Sequence, residues 1–291
     1  MKPFSFEYRV VETVDEAVTL LEQEGTDAKL IAGGQSLGPM LNYHLLRPNY
    51  LIDINRISDL NAITNSGGSL RIGATARQAS IETSGVVLEQ VPLLATATSH
   101  IGFPSIRHRG TIGGSIAHND PASEYPAVLL ALDASIEVTS VAGSRVLSAE
   151  DLFSDRFLET TIGPEEMIVG ITFPTTPQHT RVGFAEFEER SGDFATAGVV
   201  TVLVLSNTKD KITSAAISAF GGLYHMRCSA AEATLTNAPL TEEVLSDAAS
   251  SVAADFPVGS DIYGSAHYRH RLIETLSLRA LSSAAGLDAV V

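Results

Sequence analysis

The sequence predicts an α+β protein assembled from three successive units, on three observations. In the first fifty-odd residues, short apolar runs alternate with helical patterning. From about residue 56 to 175, apolar and polar residues alternate at period two, as in strands with one wet face. Beyond Pro174-Thr175-Thr176-Pro177, two longer strand-like runs precede three helical stretches. The expected units are 1–55, 56–176 and 177–291.

In chain order, Thr13 followed by Glu16 reads as a capping box. Val14, Ala17, Val18 and Leu21 then recur at helical spacing until Gly25. Residues 29–32 make a buried strand that stops at Gly33-Gly34. A helix is expected over about 36–46, closed by Arg47-Pro48, and 51–54 make a second buried strand. That order suggests parallel pairing, because parallel strands need a crossover. In the middle unit, 69–73 and 135–139 are strands, and Ala142-Gly143 turns a hairpin before Arg145-Val146-Leu147. Helices are expected near 89–101 and 123–132. The third unit has strands over 196–205 and 211–220 joined at Lys209-Asp210, with Gly221-Gly222 ending the second. Helices near 226–236, 241–255 and 264–284 complete it, giving an antiparallel sheet with helices.

The composition narrows the function. Apolar residues are 44% and charged residues 18% of 291, which suits a globular chain and not a disordered one. The 34 acidic against 19 basic residues give a net charge of −15 and disfavour a nucleic-acid or anionic-membrane partner, since both need a basic face. An anionic ligand must therefore be held by local dipoles. Cys228 is the one cysteine, too few for a disulfide or an iron–sulfur cluster. No apolar run follows Lys2, so no signal peptide is expected. The longest near-apolar run, 197–205, is far short of the about 20 residues a membrane helix needs, and a cytoplasmic protein is expected.

Two glycine segments carry the chemistry. The first is Ala32-Gly33-Gly34-Gln35-Ser36-Leu37, where a buried strand runs through paired glycines into a helix. Successive backbone amides in such a turn point outward, and the missing Cβ atoms let an anion approach. The second is Thr111-Ile112-Gly113-Gly114-Ser115, expected as another glycine bend before a helix. Neither contains Lys or Arg, and neither fits the dinucleotide or Walker spacings. Paired glycines between strand and helix are, taken alone, more often plain turn geometry than a ligand site. Together they suggest a clamp on the pyrophosphate of a dinucleotide.

These segments also carry a resemblance. Residues 32–41, Arg47-Pro48 and 51–54 resemble the first FAD loop of the flavoprotein (medium) subunits of molybdenum hydroxylases, and Ile101-Gly102, Ile106-Arg107, Arg109-Gly110 and 111–121 resemble the second. The third unit is similar too, through Gly192-Asp193-Phe194-Ala195, 219–222, Gly264-Ser265-Ala266 and Arg279-Ala280-Leu281. The resemblance implies a two-subdomain FAD-binding fold of the vanillyl-alcohol-oxidase (PCMH) type plus a C-terminal antiparallel-sheet-and-helix domain. It implies that Ala32, Gly33, Gly34, Gln35, Ser36 and Leu37 line one side of FAD and Thr111, Gly113, Gly114 and Ser115 the other. Glu124 matches an acid that binds a ribose hydroxyl, with Asp120 beside it as a binding residue or an N-cap before Pro121. Ile101 and Ile168 fall where the family lays apolar contacts on the flavin, or are plain core.

The implied function is electron transfer from two [2Fe–2S] clusters in a small subunit, through FAD, to an external acceptor. A large molybdenum–pterin subunit would hydroxylate the substrate, in a dimer of heterotrimers. No catalytic side chain or metal ligand is expected in this chain. A nicotine- or caffeine-type N-heteroaromatic substrate is suggested by 32–36 and the Met1-Lys2-Pro3 start. The alternative is a self-contained FAD-dependent oxidase or reductase of the same fold superfamily. Several positions depart from the family pattern: Ser115, His44, His108, the acidic Glu186, Glu188 and Glu189, and the Tyr224-His225-Met226 turn. His118, beside the second segment, has no assigned role.

Overall fold

The structure, a computed structural model, describes residues 2–287 apart from Ser154 and Tyr263, so Met1 of the opening tripeptide lies outside the described residues. In the first unit, β1 (Glu7–Val10), β2 (Ala28–Ile31) and β3 (Tyr50–Asp53) form a parallel sheet in the order β1-β3-β2. The reciprocal Thr13–Glu16 box opens α1 (Val14–Glu24), and Gly25 at φ 54° ends it. Its inner face, Ala17, Val18 and Leu21, packs with Ile52 and Ile54. Strand β1 was not expected, because Glu-Tyr-Arg-Val shows no apolar run and all four residues stay exposed on the sheet edge. Helix α2 (Leu37–Asn42) is shorter than the expected 36–46. His44 takes φ 60°, and the Leu45 amide turns back to the Met40 carbonyl at 2.9 Å.

The middle unit is a five-stranded antiparallel sheet in the order β4-β5-β8-β6-β7. Its strands are β4 (Ile63–Ser66), β5 (Ser69–Gly73), β6 (Ser135–Ser140), β7 (Gly143–Ser148) and β8 (Met167–Phe173). Gly143, at φ 125°, makes the expected hairpin between β6 and β7. Between β5 and β6 run α3 (Gln78–Thr83), α4 (Gly85–Gln90), α5 (Pro92–His100), α6 (Pro104–Arg107), α7 (Ile112–His118) and α8 (Glu124–Ala131), while α9 (Ala149–Leu152) follows β7. The single helix expected over 89–101 is broken at Val91, because Pro92 drives the preceding residue out of the helical region. Strand β8 escaped the reading: Met-Ile-Val-Gly-Ile-Thr-Phe is nearly all apolar, and periodicity cannot separate such a run from a buried helix.

The third unit is an antiparallel sheet in the order β12-β11-β10-β9. It comprises β9 (Thr180–Phe187), β10 (Ala197–Leu205), β11 (Ile212–Phe220) and β12 (Met226–Arg227), with α10 (Ser229–Leu235), α11 (Glu242–Asp255) and α12 (Ala266–Ala285). The helix expected from 226 starts at Ser229, because Met226 and Arg227 pair with Ala219 and Ser218. Strand β10 is apolar along its length because both faces are covered. Val199, Leu203 and Ile217 pack with Leu245, Ile273 and Leu276 of the helices. Val200, Val202 and Phe220 join the middle unit's core with Tyr125 and Val128. Helix α8, caught between the two, is buried at every position.

A corner of the third unit hooks the second. The Gly221 amide donates to the Pro121 carbonyl, and His225 Nε2 lies on the Ser123 carbonyl, both at 2.8 Å. Buried Arg269 steadies that corner through Nη1 bonds to the Thr196 and Gly221 carbonyls at 2.6 Å each. The Tyr224-His225-Met226 turn therefore joins two units.

Candidate functional site

The first glycine segment leaves β2 and curls into α2. Gly34 takes φ 70°, and Gln35 Nε2 donates to the Gly33 carbonyl at 3.0 Å, closing the turn. Among the described residues, the amides of Gly33, Gly34, Gln35, Ser36 and Leu37 donate to no acceptor in the chain. Successive undonated amides around a left-handed residue form an anion-binding concavity. Ser36 makes no side-chain cap bond, and Leu37 is half-buried. The Ala32 carbonyl accepts from Asn55 Nδ2 at 2.9 Å, which fixes the entry to the turn.

The second segment lies against the first. A Cβ on Gly33 would collide with the Arg109 carbonyl and come within 2.8 Å of the Gly110 Cα. The expectation of a second glycine bend is corrected, however: Gly113 and Gly114 sit inside α7, with Thr111 as its N-cap. Their amides are already taken, Gly113 by the Ala74 carbonyl at 2.9 Å and Gly114 by Thr111 Oγ1 at 3.2 Å. Gly113 is glycine because α7 presses on Ala74, whose Cβ and carbonyl stand 2.7 Å from where its own Cβ would be. What this segment can offer a ligand is the hydroxyls of Thr111 and Ser115, the latter 3.0 Å from Ser123 Oγ.

Glu124 opens α8 and is buried, so it is no solvated helix-start acid. Burial, and next to it the charge of Glu186, raises its carboxyl well above the usual carboxylate range. Glu186 is itself shut off from solvent, 3.2 Å from His100 Nδ1, and its oxygens accept no well-formed hydrogen bond among the described residues. The Glu186 carboxylate at that distance raises the His100 imidazole. His100 forms part of a cavity of about 340 Å³ with Ser99, Phe103, Arg107, Glu188 and Gly192, at the junction of the second and third units. Arg107 pairs with Glu82 at 2.8 Å and holds the Ile101 and Gly102 carbonyls at 3.1 and 2.8 Å. Ile101, half-buried, borders that corner, whereas Ile168 lies on β8 inside the main core.

Asp120 is not an N-cap of α8; its Oδ1 accepts from the Ala122 amide at 2.9 Å and closes a local turn. His118 faces Asp120 at 3.9 Å, and burial lowers its imidazole against that charge. His44 Nε2 lies 2.9 Å from the Lys2 carbonyl and its ring rests on Phe4, so it anchors the N-terminal segment. His108 is exposed at the end of α6. Asn55 and Arg77 were missed altogether. The only signals are that Asn55 lies just past β3 and Arg77 at the N-cap of α3, which single out no residue.

Among the described residues, no group of His, Cys, Asp and Glu is arranged to hold a metal ion, and no helix is long and apolar enough to cross a membrane. Residues 4–176 match the model of an FAD-binding domain in molybdopterin dehydrogenase, and residues 183–284 that of the CO dehydrogenase flavoprotein C-terminal domain. The chain is 39% identical over 285 residues to the 6-hydroxypseudooxynicotine dehydrogenase complex subunit alpha of Paenarthrobacter nicotinovorans, covering 98% of this chain and 96% of that one. It is 36% identical to the nicotine 6-hydroxylase medium subunit of the same organism, covering 98% and 99%. Among solved structures, carbon monoxide dehydrogenase from Hydrogenophaga pseudoflava superposes with a TM-score of 0.94 at 35% identity, covering 98% of both chains.

Proposed function

The chain belongs to the FAD-binding medium subunits of the molybdenum hydroxylase family, and we propose that it works as the flavoprotein subunit of a heterotrimer. Its partners in this reading are a large molybdenum–pterin subunit and a small subunit with two [2Fe–2S] clusters, paired as a dimer of heterotrimers. Bound FAD supplies a carrier of one or two electrons between those clusters and an external acceptor. Relatives named for nicotine and 6-hydroxypseudooxynicotine support an N-heteroaromatic substrate for the complex.

The observation that supports this most directly is the run of undonated amides from Gly33 to Leu37, laid against Arg109-Gly110. Such a surface fits a diphosphate through main-chain donors, and neither glycine segment carries a Lys or Arg. On this reading Ser36, Thr111 and Ser115 add hydroxyl donors. The Glu124 carboxyl can accept from a ribose diol, which offers two donors, with Asp120 nearby. Ile101, next to His100 in the chain, and Ile168 on β8 are the apolar contacts of the flavin in this reading. The working division is 1–55 and 56–176 for the two FAD-binding subdomains and 177–291 for the third domain.

The reading is tested by purifying the chain with whatever accompanies it. Oxidised-flavin absorbance, release of FAD on denaturation, and co-purified molybdenum and iron are expected. Absence of flavin from both the chain and its complex would end the reading. Turnover of an organic substrate by the isolated chain would favour the self-contained oxidase instead.

A further inference from the structure

We propose that Arg77 and Asn55 are positioning residues: together they tie the strand end before the first glycine segment to the chain entering the second, and so set the spacing of the FAD cradle. This deepens the flavoprotein reading and rests on it. Asn55 follows β3 and has three of its polar groups engaged. Its amide donates to Asp53 Oδ1 at 2.8 Å, and its Nδ2 donates to that same oxygen at 2.6 Å and to the Ala32 carbonyl at 2.9 Å. Its Oδ1 accepts from Arg77 Nη2 at 2.6 Å. Arg77 Nη1 donates in turn to the Arg109 carbonyl, the group against which Gly33 is pressed.

The bonds thus link Ala32, Asn55, Arg77 and Arg109, and the close packing of Gly33 on the Arg109 carbonyl completes the ring. Arg77 also ties the second segment by main chain, since it bridges Thr111. On either side of that bridge, the Gln78 amide donates to the Gly110 carbonyl at 3.0 Å and the Ile112 amide to the Ala76 carbonyl at 3.2 Å. The far end is anchored where Tyr8 Oη donates to Asp53. No other side chain among the described residues hydrogen-bonds to the Ala32 or the Arg109 carbonyl.

A guanidinium can span two acceptors at a fixed angle, whereas an ammonium is a point donor. Arg77→Lys, which keeps charge and stem, therefore separates spacing from simple attraction. The full chain is stripped of flavin and titrated with FAD by flavin fluorescence, and the Tm of each stripped form is measured. Arg77→Lys, Arg77→Met and Asn55→Ala should each weaken FAD binding about tenfold or more, and Arg77→Lys should leave the Tm nearly unchanged. Arg77→Met with Asn55→Ala should be no weaker than the worse single variant, because both cut one ring. Binding by Arg77→Lys within twofold of the parent, or losses that multiply in the double variant, overturns the proposal. Should Arg77→Met fail to fold, Arg77→Lys with Asn55→Ala carries the same test.

If the stripped parent chain takes no FAD, the flavoprotein reading is judged by the flavin content of the complex, and the ring by hydrogen exchange in the stripped protein. Faster exchange of the Gly33–Leu37 amides in Arg77→Lys supports it, and unchanged exchange refutes it.

Discussion

Gly33, Gly113 and Gly114 look alike in the sequence and do different work in the structure. At Gly33 a Cβ would drive into the Arg109 backbone and part the two segments, so Gly33→Ala should lose FAD as well as stability. At Gly113 the collision is with Ala74 inside the fold, an overpacking that costs about 1–3 kcal/mol. At Gly114 the added atom meets only the Thr111 hydroxyl, at 2.8 Å. Melting curves should therefore rank Gly113→Ala below Gly114→Ala, while Gly114→Val should shed FAD with a smaller fall in Tm than Gly113→Ala. Equal Tm losses at 113 and 114 would show that the packing on Ala74 is not what requires glycine. The pairing of glycines was legible in the sequence, but which amides stay undonated was not. That depends on Ala74, a residue of the segment after β5 that no local pattern links to position 113.

At the scale of elements, the corner between β11 and β12 carries a pH dependence. Burial lowers the His225 imidazole to about 4, from about 6.5 in an unfolded chain. The native ring stays neutral between those values while the unfolded ring gains a proton. Stability is thus full above about pH 6.5 and lost as pH falls towards 4, by up to about 3 kcal/mol. His225→Gln, which keeps a donor for the Ser123 carbonyl, should flatten the fall of Tm between pH 6.5 and 4. An unchanged slope would assign the loss to other groups. The capping box of α1, the parallel pairing of β2 with β3 and the β6–β7 hairpin were readable because each rests on neighbours in the chain. Strand β1 was not, because Glu7 to Val10 are held by pairing with Tyr50 to Asp53, far away in sequence.

On the scale of the whole molecule, the third unit is no appendage. Helix α8 is buried on every side because the middle core lies on one face and β10 and β11 on the other. A fragment of residues 1–176 should bare that helix and aggregate, whereas the full chain stays in solution; sedimentation of both after expression checks this. A soluble, monomeric fragment would mean that α8 finds its cover elsewhere. The sharing of one core between the last two sheets could not be read from patterning, since β10 reads as buried without saying by what.

That shared core bears on the cavity beside His100. Its two walls come from α5–α6 and the stretch after β9, and behind them Val200, Val202 and Phe220 interlock with Tyr125 and Val128. Prising the two sheets apart behind those walls would wet all of these side chains at once, so a hinge there costs the burial of the shared core.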